Sequence, residues 1–132
     1  MNAEIIVVGS ELLTPFRQDT NSLYLTEKLN QLGVDVSRKT IVADDQKQIA
    51  ELTRVALSRS DIIVFSGGLG PTEDDLTREG VADALHIEVH RDPEMLAAFE
   101  VRAAARGWKM TANNYKQADG IAGAIVLANS NG

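Results

Sequence analysis

The chain has 132 residues, a formal net charge of −6 and an isoelectric point near 4.8, which excludes a nucleic-acid backbone as its natural partner. It has no cysteine, so disulfides, thiolate nucleophiles and zinc–thiolate sites are out. No apolar run approaches the roughly 20 residues of a membrane span, and Met1 leads into an apolar segment without signal-peptide architecture, so a cytoplasmic chain with no membrane partner is expected.

Residues 3–8 (Ala-Glu-Ile-Ile-Val-Val) read as a first buried strand. Pro15 discourages helix in the polar loop that follows, which carries Glu11, Arg17, Asp19 and Asn21 at the strand's carboxyl end. Asp19 or Thr20 can cap a helix over residues 21–32, with Leu25, Leu29 and Leu32 on one stripe and Gly33 as its stop. Residues 34–42 alternate as a strand near an edge of the sheet. Asp44 is placed to cap a helix over residues 46–58 that buries Ile49, Leu52 and Ala56.

The most informative stretch follows the apolar run at residues 61–66, which reads as a central strand buried on both faces. Gly67-Gly68-Leu69-Gly70-Pro71-Thr72 then leads through Glu73, Asp74 and Asp75 into a helix over residues 76–85. Three glycines in four residues let backbone amides approach an oxyanion, and the helix aims its dipole at the same place, so phosphate is the natural guest. The acids make sense beside phosphate if a divalent cation lies between them. The plainer alternative is a capping role, with Thr72 as N-cap and Asp75 in the first turn. The stretch is neither a Walker loop nor a dinucleotide fingerprint.

Residues 86–90 read as a short strand bearing His86 and His90 as exposed side chains, since no third metal ligand has suitable spacing. Asp92-Pro93 starts a helix to residue 106, with Leu96, Phe99 and Ala103 inward and Gly107 as the stop. Asn113, Asn114, Lys116 and Gln117 offer neutral donors and one cation suited to phosphate or nucleotide edges, or else a solvated helix start. Residues 124–128 read as a closing strand, and the chain stops within a loop. A single domain over residues 1–132, continued in a longer chain, is therefore expected.

Strands alternating with amphipathic helices call for a three-layer αβα fold of the α/β class with a mostly parallel sheet. Ligands then sit beyond the strands' carboxyl ends, where Glu11, Asp44 and Asp75 become neighbours and point to Mg²⁺ or a similar ion.

The motifs Gly9-Ser10-Glu11-Leu12-Leu13, Asp19-Thr20-Asn21, residues 67–77 and Asn114-Tyr115-Lys116-Gln117-Ala118 occur in order over nearly the whole chain. That series resembles the amino-terminal domain of the competence/damage-inducible CinA family, within the MoaB/MogA-like molybdopterin-binding superfamily of molybdenum cofactor biosynthesis. The resemblance implies a metal-dependent pyrophosphatase acting on ADP-ribose or a related dinucleotide such as FAD. It also implies a homo-oligomer, dimer or trimer, and in longer members a carboxyl-terminal deamidase domain absent here. Asp44 and Asp75 match the family's acids; Ser10 stands where many relatives have Asp, and Ser130 where many have Pro.

On this reading Gly67, Gly68, Leu69, Gly70, Pro71 and Thr72 hold the diphosphate, with Asn21, Asn114 and Gln117 as further contacts. Asp75, Asp74, Asp44 and Lys116 are the catalytic candidates, while Glu11, Asp44 and Asp75 are the candidate ligands of Mg²⁺ or Co²⁺. The rival readings are a protein that binds or adenylylates a pterin phosphate, and a non-catalytic oligomerising module that senses nucleotide.

Overall fold

The computed structural model describes residues 1–129; the tail motif at residues 130–132 lies outside them. Three parallel strands form the main sheet in the order β2-β1-β3: β1 (Asn2–Val8), β2 (Asp35–Val42) and β3 (Ile62–Ser66). β1 feeds α1 (Asn21–Gln31), and α2 (Gln46–Leu57) carries the chain from β2 back across β1 to β3. Two crossovers of one hand running in opposite directions place α1 and α2 on opposite faces, which gives the three layers. The α/β class with a parallel sheet is thus as the alternation of patterns requires.

The strand expected to be central is displaced by one place: β1 is the middle strand, and residues 3–8 are all buried. β3 has β1 as its single partner among the described residues, and all five of its residues are half-buried rather than buried. β2 stands at the edge, as its alternation indicates. The principal core joins Ile6, Val8, Val42, Ile49 and Ala56. α2 meets α3 (Thr77–Leu85) where Gly80 leaves room for Ile49.

After α3 the chain forms an antiparallel pair, β4 (Val89–Arg91) with β5 (Asp119–Ile121), connected through α4 (Pro93–Ala105), the short α5 (Ala112–Tyr115) and a 3-10 turn at Lys116–Ala118. Asp92 caps α4 through the amides of Glu94 and Met95. His86 belongs to no strand; it ends α3 in the left-handed conformation at φ 56°. The closing strand expected at residues 124–128 is also absent: Ala124 N–H donates to Ile121 O at 3.0 Å within a turn, no strand is formed among these described residues, and Ile125 is 88% exposed. An apolar run becomes a strand only where an edge is in reach, and none takes it here.

One feature of β1 runs against its apolar pattern. Glu4 is buried in the middle strand, where its carboxylate accepts from Arg59 Nε at 2.6 Å, Arg59 Nη2 at 2.8 Å and Ser60 Oγ at 2.6 Å. The Arg59 hydrogen bond outweighs burial and, with Ser60 and the Arg59 and Arg38 charges, holds the Glu4 carboxyl below its usual range. This network ties the amino ends of β1 and β3 together.

Candidate functional site

The carboxyl ends of the three parallel strands deliver three loops to one edge of the sheet. Gly9 N–H donates to Val42 O at 2.9 Å, and Val7 pairs with Ser66, so the loop after β1 lies between the other two. Ser10 fastens it to the β2 loop: its amide donates to Asp44 Oδ2 at 2.9 Å, and its hydroxyl accepts from the Asp44 amide at 2.9 Å. Asp44 therefore does not cap α2. Asp45 does, accepting from Gln48 N–H at 2.9 Å, because its extended backbone suits the cap position. On the other side Asn21 Nδ2 donates to Ser66 Oγ at 3.5 Å. Asp19, not Thr20, supplies the cap of α1 by accepting from Ser22 N–H at 3.0 Å.

The glycine turn is built on close approach. Gly67 and Gly68 take φ of 89° and 64°. A Cβ on Gly67 would stand 2.1 Å from Val8 O, and one on Gly68 would stand 2.2 Å from Thr77 Oγ1. Both positions need glycine for conformation and for space. Thr77, buried at the start of α3, holds the turn: its hydroxyl donates to Gly67 O at 2.8 Å and its amide to Gly68 O at 3.2 Å. Arg78 Nη2 adds a bond to Leu69 O at 2.9 Å.

Asp75 closes the second half of the turn. Its Oδ2 accepts from Thr72 N–H at 2.9 Å and Thr72 Oγ at 2.8 Å, the reach-back half of the expected capping box, but it closes the turn at residues 72–75 and not the start of α3. α3 begins at Thr77 with Leu76 as an N-cap that has no side-chain bond, because Asp75 turns back toward residues 70–72. A Cβ on Gly70 would meet Asp75 Oδ2 at 2.7 Å, so Gly70 makes the room that this carboxylate fills. Burial pushes the Asp75 carboxyl upward, but the Thr72 hydroxyl, the Thr72 and Gly70 amides and the Lys116 charge prevail and hold it low.

Lys116 reaches the turn from the other side. Its ammonium donates to Thr72 O at 2.8 Å and to Asp75 O, with Glu79 Oε1 at 3.6 Å. It grips the backbone that carries Thr72 and Asp75. Asn114 completes a capping box, its Oδ1 accepting from the Thr111 amide and hydroxyl at 2.9 Å each. Glu73 and Asp74 are exposed.

Two cavities flank the turn. A small one, about 160 Å³, lies at the carboxyl ends of β1 and β3 against Glu11, Asp19, Asn21, Ser66 and Gly67. A larger one, about 580 Å³, lies beyond Leu69, between Arg78, Phe99, Arg102 and Gln117. Glu11 thus shares the sheet edge with Asp44 and Asp75. Among the described residues, however, no three His, Asp or Glu side chains are grouped as a metal ion would require. The trio expected as metal ligands is not a preformed cage: Asp75 is engaged by Thr72 and Gly70, and Asp44 by Ser10. Such a donor set fits a cation that arrives with phosphates, for which one or two carboxylates suffice.

Several residues of this site carry little signal in sequence. Ser10, Ser66 and Thr77 are single hydroxyls whose roles appear only when three loops meet; Thr77, one residue into a helix after a glycine turn, is the one a pattern could have suggested.

A strand, a glycine turn gripped by the next helix, and polar loops gathered at one sheet edge define an α/β domain with its candidate site at the carboxyl ends of its parallel strands. The chain belongs to the family described as the probable molybdopterin binding domain, whose model matches residues 4–128, and to its CinA-like members. It is 57% identical over 132 residues to a CinA-like protein of Koribacter versatilis and 61% identical to one of Acidobacterium capsulatum. In each case all of this chain is covered, and it spans 32% of the relative's length. Among solved structures, the protein CinA of Thermoplasma acidophilum superposes with a TM-score of 0.89 at 35% identity, covering 99% of this chain and 76% of that one. A molybdopterin biosynthesis protein of Mycobacterium abscessus gives 0.59 at 22% identity over 80% and 65% of the two chains, a likeness of fold alone.

Proposed function

We propose that this domain binds the diphosphate of a nucleotide such as ADP-ribose at residues 67–72 and hydrolyses that linkage. The observation that carries the reading is the pair of left-handed glycines, Gly67 and Gly68, packed so closely on Val8 and Thr77 that no side chain stands between the turn and a ligand. Phosphate oxygens would meet the backbone at residues 67–70, with the amino end of α3 behind it. Asp75 and Asp74 would hold a divalent cation, Mg²⁺ or Co²⁺, together with the ligand's oxygens. When bound, it supplies charge neutralisation and a water of lowered pKa. Thr77, Lys116 and the Thr72–Asp75 bonds keep the turn in shape, so that little reorganisation is needed on binding.

The test is release of AMP from ADP-ribose with Mg²⁺ or Co²⁺. Asp75→Ala also dismantles the turn, so Asp75→Asn, which keeps an acceptor for Thr72, and the exposed Asp74→Asn are the discriminating variants. Full turnover in both would remove these acids from the mechanism. No turnover by the wild-type chain on ADP-ribose or FAD would overturn the hydrolase reading.

The family match favours a second reading, a pterin phosphate held by the same turn. Calorimetry with molybdopterin against ADP-ribose separates the two, since the preferred ligand should bind at least tenfold tighter.

A further inference from the structure

We infer that α4 is an interface, on which a second copy of this chain docks its own α4 in the antiparallel direction about a two-fold axis near Val101. The inference is independent of the phosphate reading, because it needs nothing from residues 67–75.

The outer face of α4 is wrong for a surface helix. Of its 13 residues only Ala103 is buried, with Leu96 and Phe99 half-buried beside it. These three, at i, i+3 and i+7, are the inward stripe. The opposite face should then be polar, yet Ala97, Val101 and Ala104, again at helical spacing, are exposed, as are Ala98 and Ala105 next to them. Val101 is 72% exposed. Apart from Glu94, Glu100 and Arg102 the helix is apolar throughout. A helix apolar on every side belongs in an interior, and among the described residues nothing covers this one. The apolar surface also continues beyond it. Through Met95, Ala98 and Phe99 it runs into the larger cavity, about 580 Å³, which Val126 and Leu127 also line. Leu127 is 83% exposed. A contiguous apolar patch of this kind marks a docking surface.

Charge and shape name the occupant. From one cap of α4 to the other, every charged residue before Val101 is acidic (Asp92, Glu94 and Glu100) and every one after it is basic (Arg102 and Arg106). A second α4 running the opposite way sets each acidic half against a basic half, and the two helix dipoles oppose as well. Running the same way, like charge meets like. The alanines at 97, 98, 104 and 105 let the two axes approach to about 8 Å, the near limit for packed helices. Because one patch serves both copies, the assembly closes at two. A helix of 13 residues is about 20 Å long. With Val126 and Leu127 added, the paired faces reach the small end of specific interfaces, about 1,200 Å² in total. The dimer is therefore weak, with an expected dissociation constant of about 10–100 µM.

The experiment is sedimentation equilibrium of the 132-residue chain from about 5 to 500 µM, a range that brackets that constant. The mass should rise from 14.3 kDa toward twice that value. Val101→Glu, which sets two carboxylates on the axis, should stay monomeric with an unchanged circular dichroism spectrum, since the side chain is exposed. Glu94→Arg and Arg106→Glu should each weaken the dimer about tenfold, and the double exchange should restore it, because each pair occurs twice. Orientation is read by cross-linking, which the absence of native cysteine makes clean. Val101→Cys should form a disulfide between copies, whereas the two copies of Glu94→Cys stand about 20 Å apart and should not. A chain that stays monomeric at the highest concentration overturns the inference and leaves the face to another protein or to sequence that follows in longer relatives. So does a trimer, or a dimer that survives Val101→Glu, which would point to another surface such as the open edge of β3. Equal cross-linking through Glu94→Cys and Val101→Cys would mean a parallel pair and overturns it as well.

Discussion

Gly80→Ala tests how the helix behind the glycine turn is positioned. In an isolated helix this change stabilises by about 1 kcal/mol, because glycine loses more backbone freedom than alanine. Here the new methyl would stand 2.5 Å from Ile49 Cγ2, 2.6 Å from Ile49 Cβ and 3.2 Å from Gln46 O. Ordinary carbon contacts are about 3.5–4.0 Å, so α2 and α3 must separate by roughly 1 Å. Ile49 is fully buried and part of the core, so it has nowhere to retreat. Overpacking of this kind costs about 1–3 kcal/mol. The clash wins, and the net expectation is destabilisation of about 1 kcal/mol. Urea unfolding reads it as a lower midpoint at unchanged slope, a drop of roughly 0.5 M for a slope near 2 kcal/mol/M. In an Ile49→Ala background the Cγ2 contact is gone while the 2.6 Å Cβ contact stays, so the same substitution should cost less than in the wild type without becoming stabilising, a coupling within the ~0.5–3 kcal/mol known for touching residues. A stabilised Gly80→Ala single variant, or strict additivity of the two changes, would refute the packing argument. Because Thr77 on α3 holds Gly67 and Gly68, Gly80→Ala should also weaken pyrophosphate binding.

Gly68→Ala should abolish pyrophosphate binding by calorimetry and lower stability by at least ~1–2 kcal/mol for the left-handed conformation alone, before its clash with Thr77 Oγ1. Lys116→Met takes the ammonium donor from the Asp75 carbonyl and from the Thr72 carbonyl, which keeps the Asp75 amide at 3.2 Å; loss of about 2 kcal/mol in urea unfolding is expected, the scale of hydrogen bonds from a charged group. Glu4 supplies acid sensitivity. Its folded pKa lies below the unfolded 4.5, so its stabilisation is complete above pH 4.5 and is lost as pH falls through the depressed folded value. Asp75, lowered from 3.8, acts with the same sign. Glu4→Gln should flatten the fall in unfolding midpoint below pH 4.5, and an unchanged acid limb would show that the Arg59 network carries no such linkage.

Much of the fold is legible along the chain because it is written in local periodicity. Apolar runs at residues 3–8 and 61–66, and the apolar stripes of the intervening helices, each state an element type that neighbours in space need not confirm. Asp92-Pro93 announces a helix start for a similarly local reason. The apolar run at residues 124–128 shows the limit, since a strand is a property of a pair. The order β2-β1-β3 also lies beyond pattern, because it depends on which crossover turns which way.

The candidate site divides along the same line. Three glycines followed by acids mark the turn in the sequence by itself, since no other residues allow φ of 89° and 64° in succession at so little cost. What those acids do was decided by tertiary structure. Asp75 turned back to Thr72, Asp44 was taken by Ser10, and Glu11 was left facing a cavity with amides and a hydroxyl. A carboxylate's role depends on which donors arrive within about 3 Å: those of Asp75 come from its own turn, whereas that of Asp44 comes from the loop after β1 and the Lys116 that grips the turn comes from beyond α5. Local sequence sets backbone conformation; only the closed fold sets which charged groups are already satisfied and which remain for a ligand.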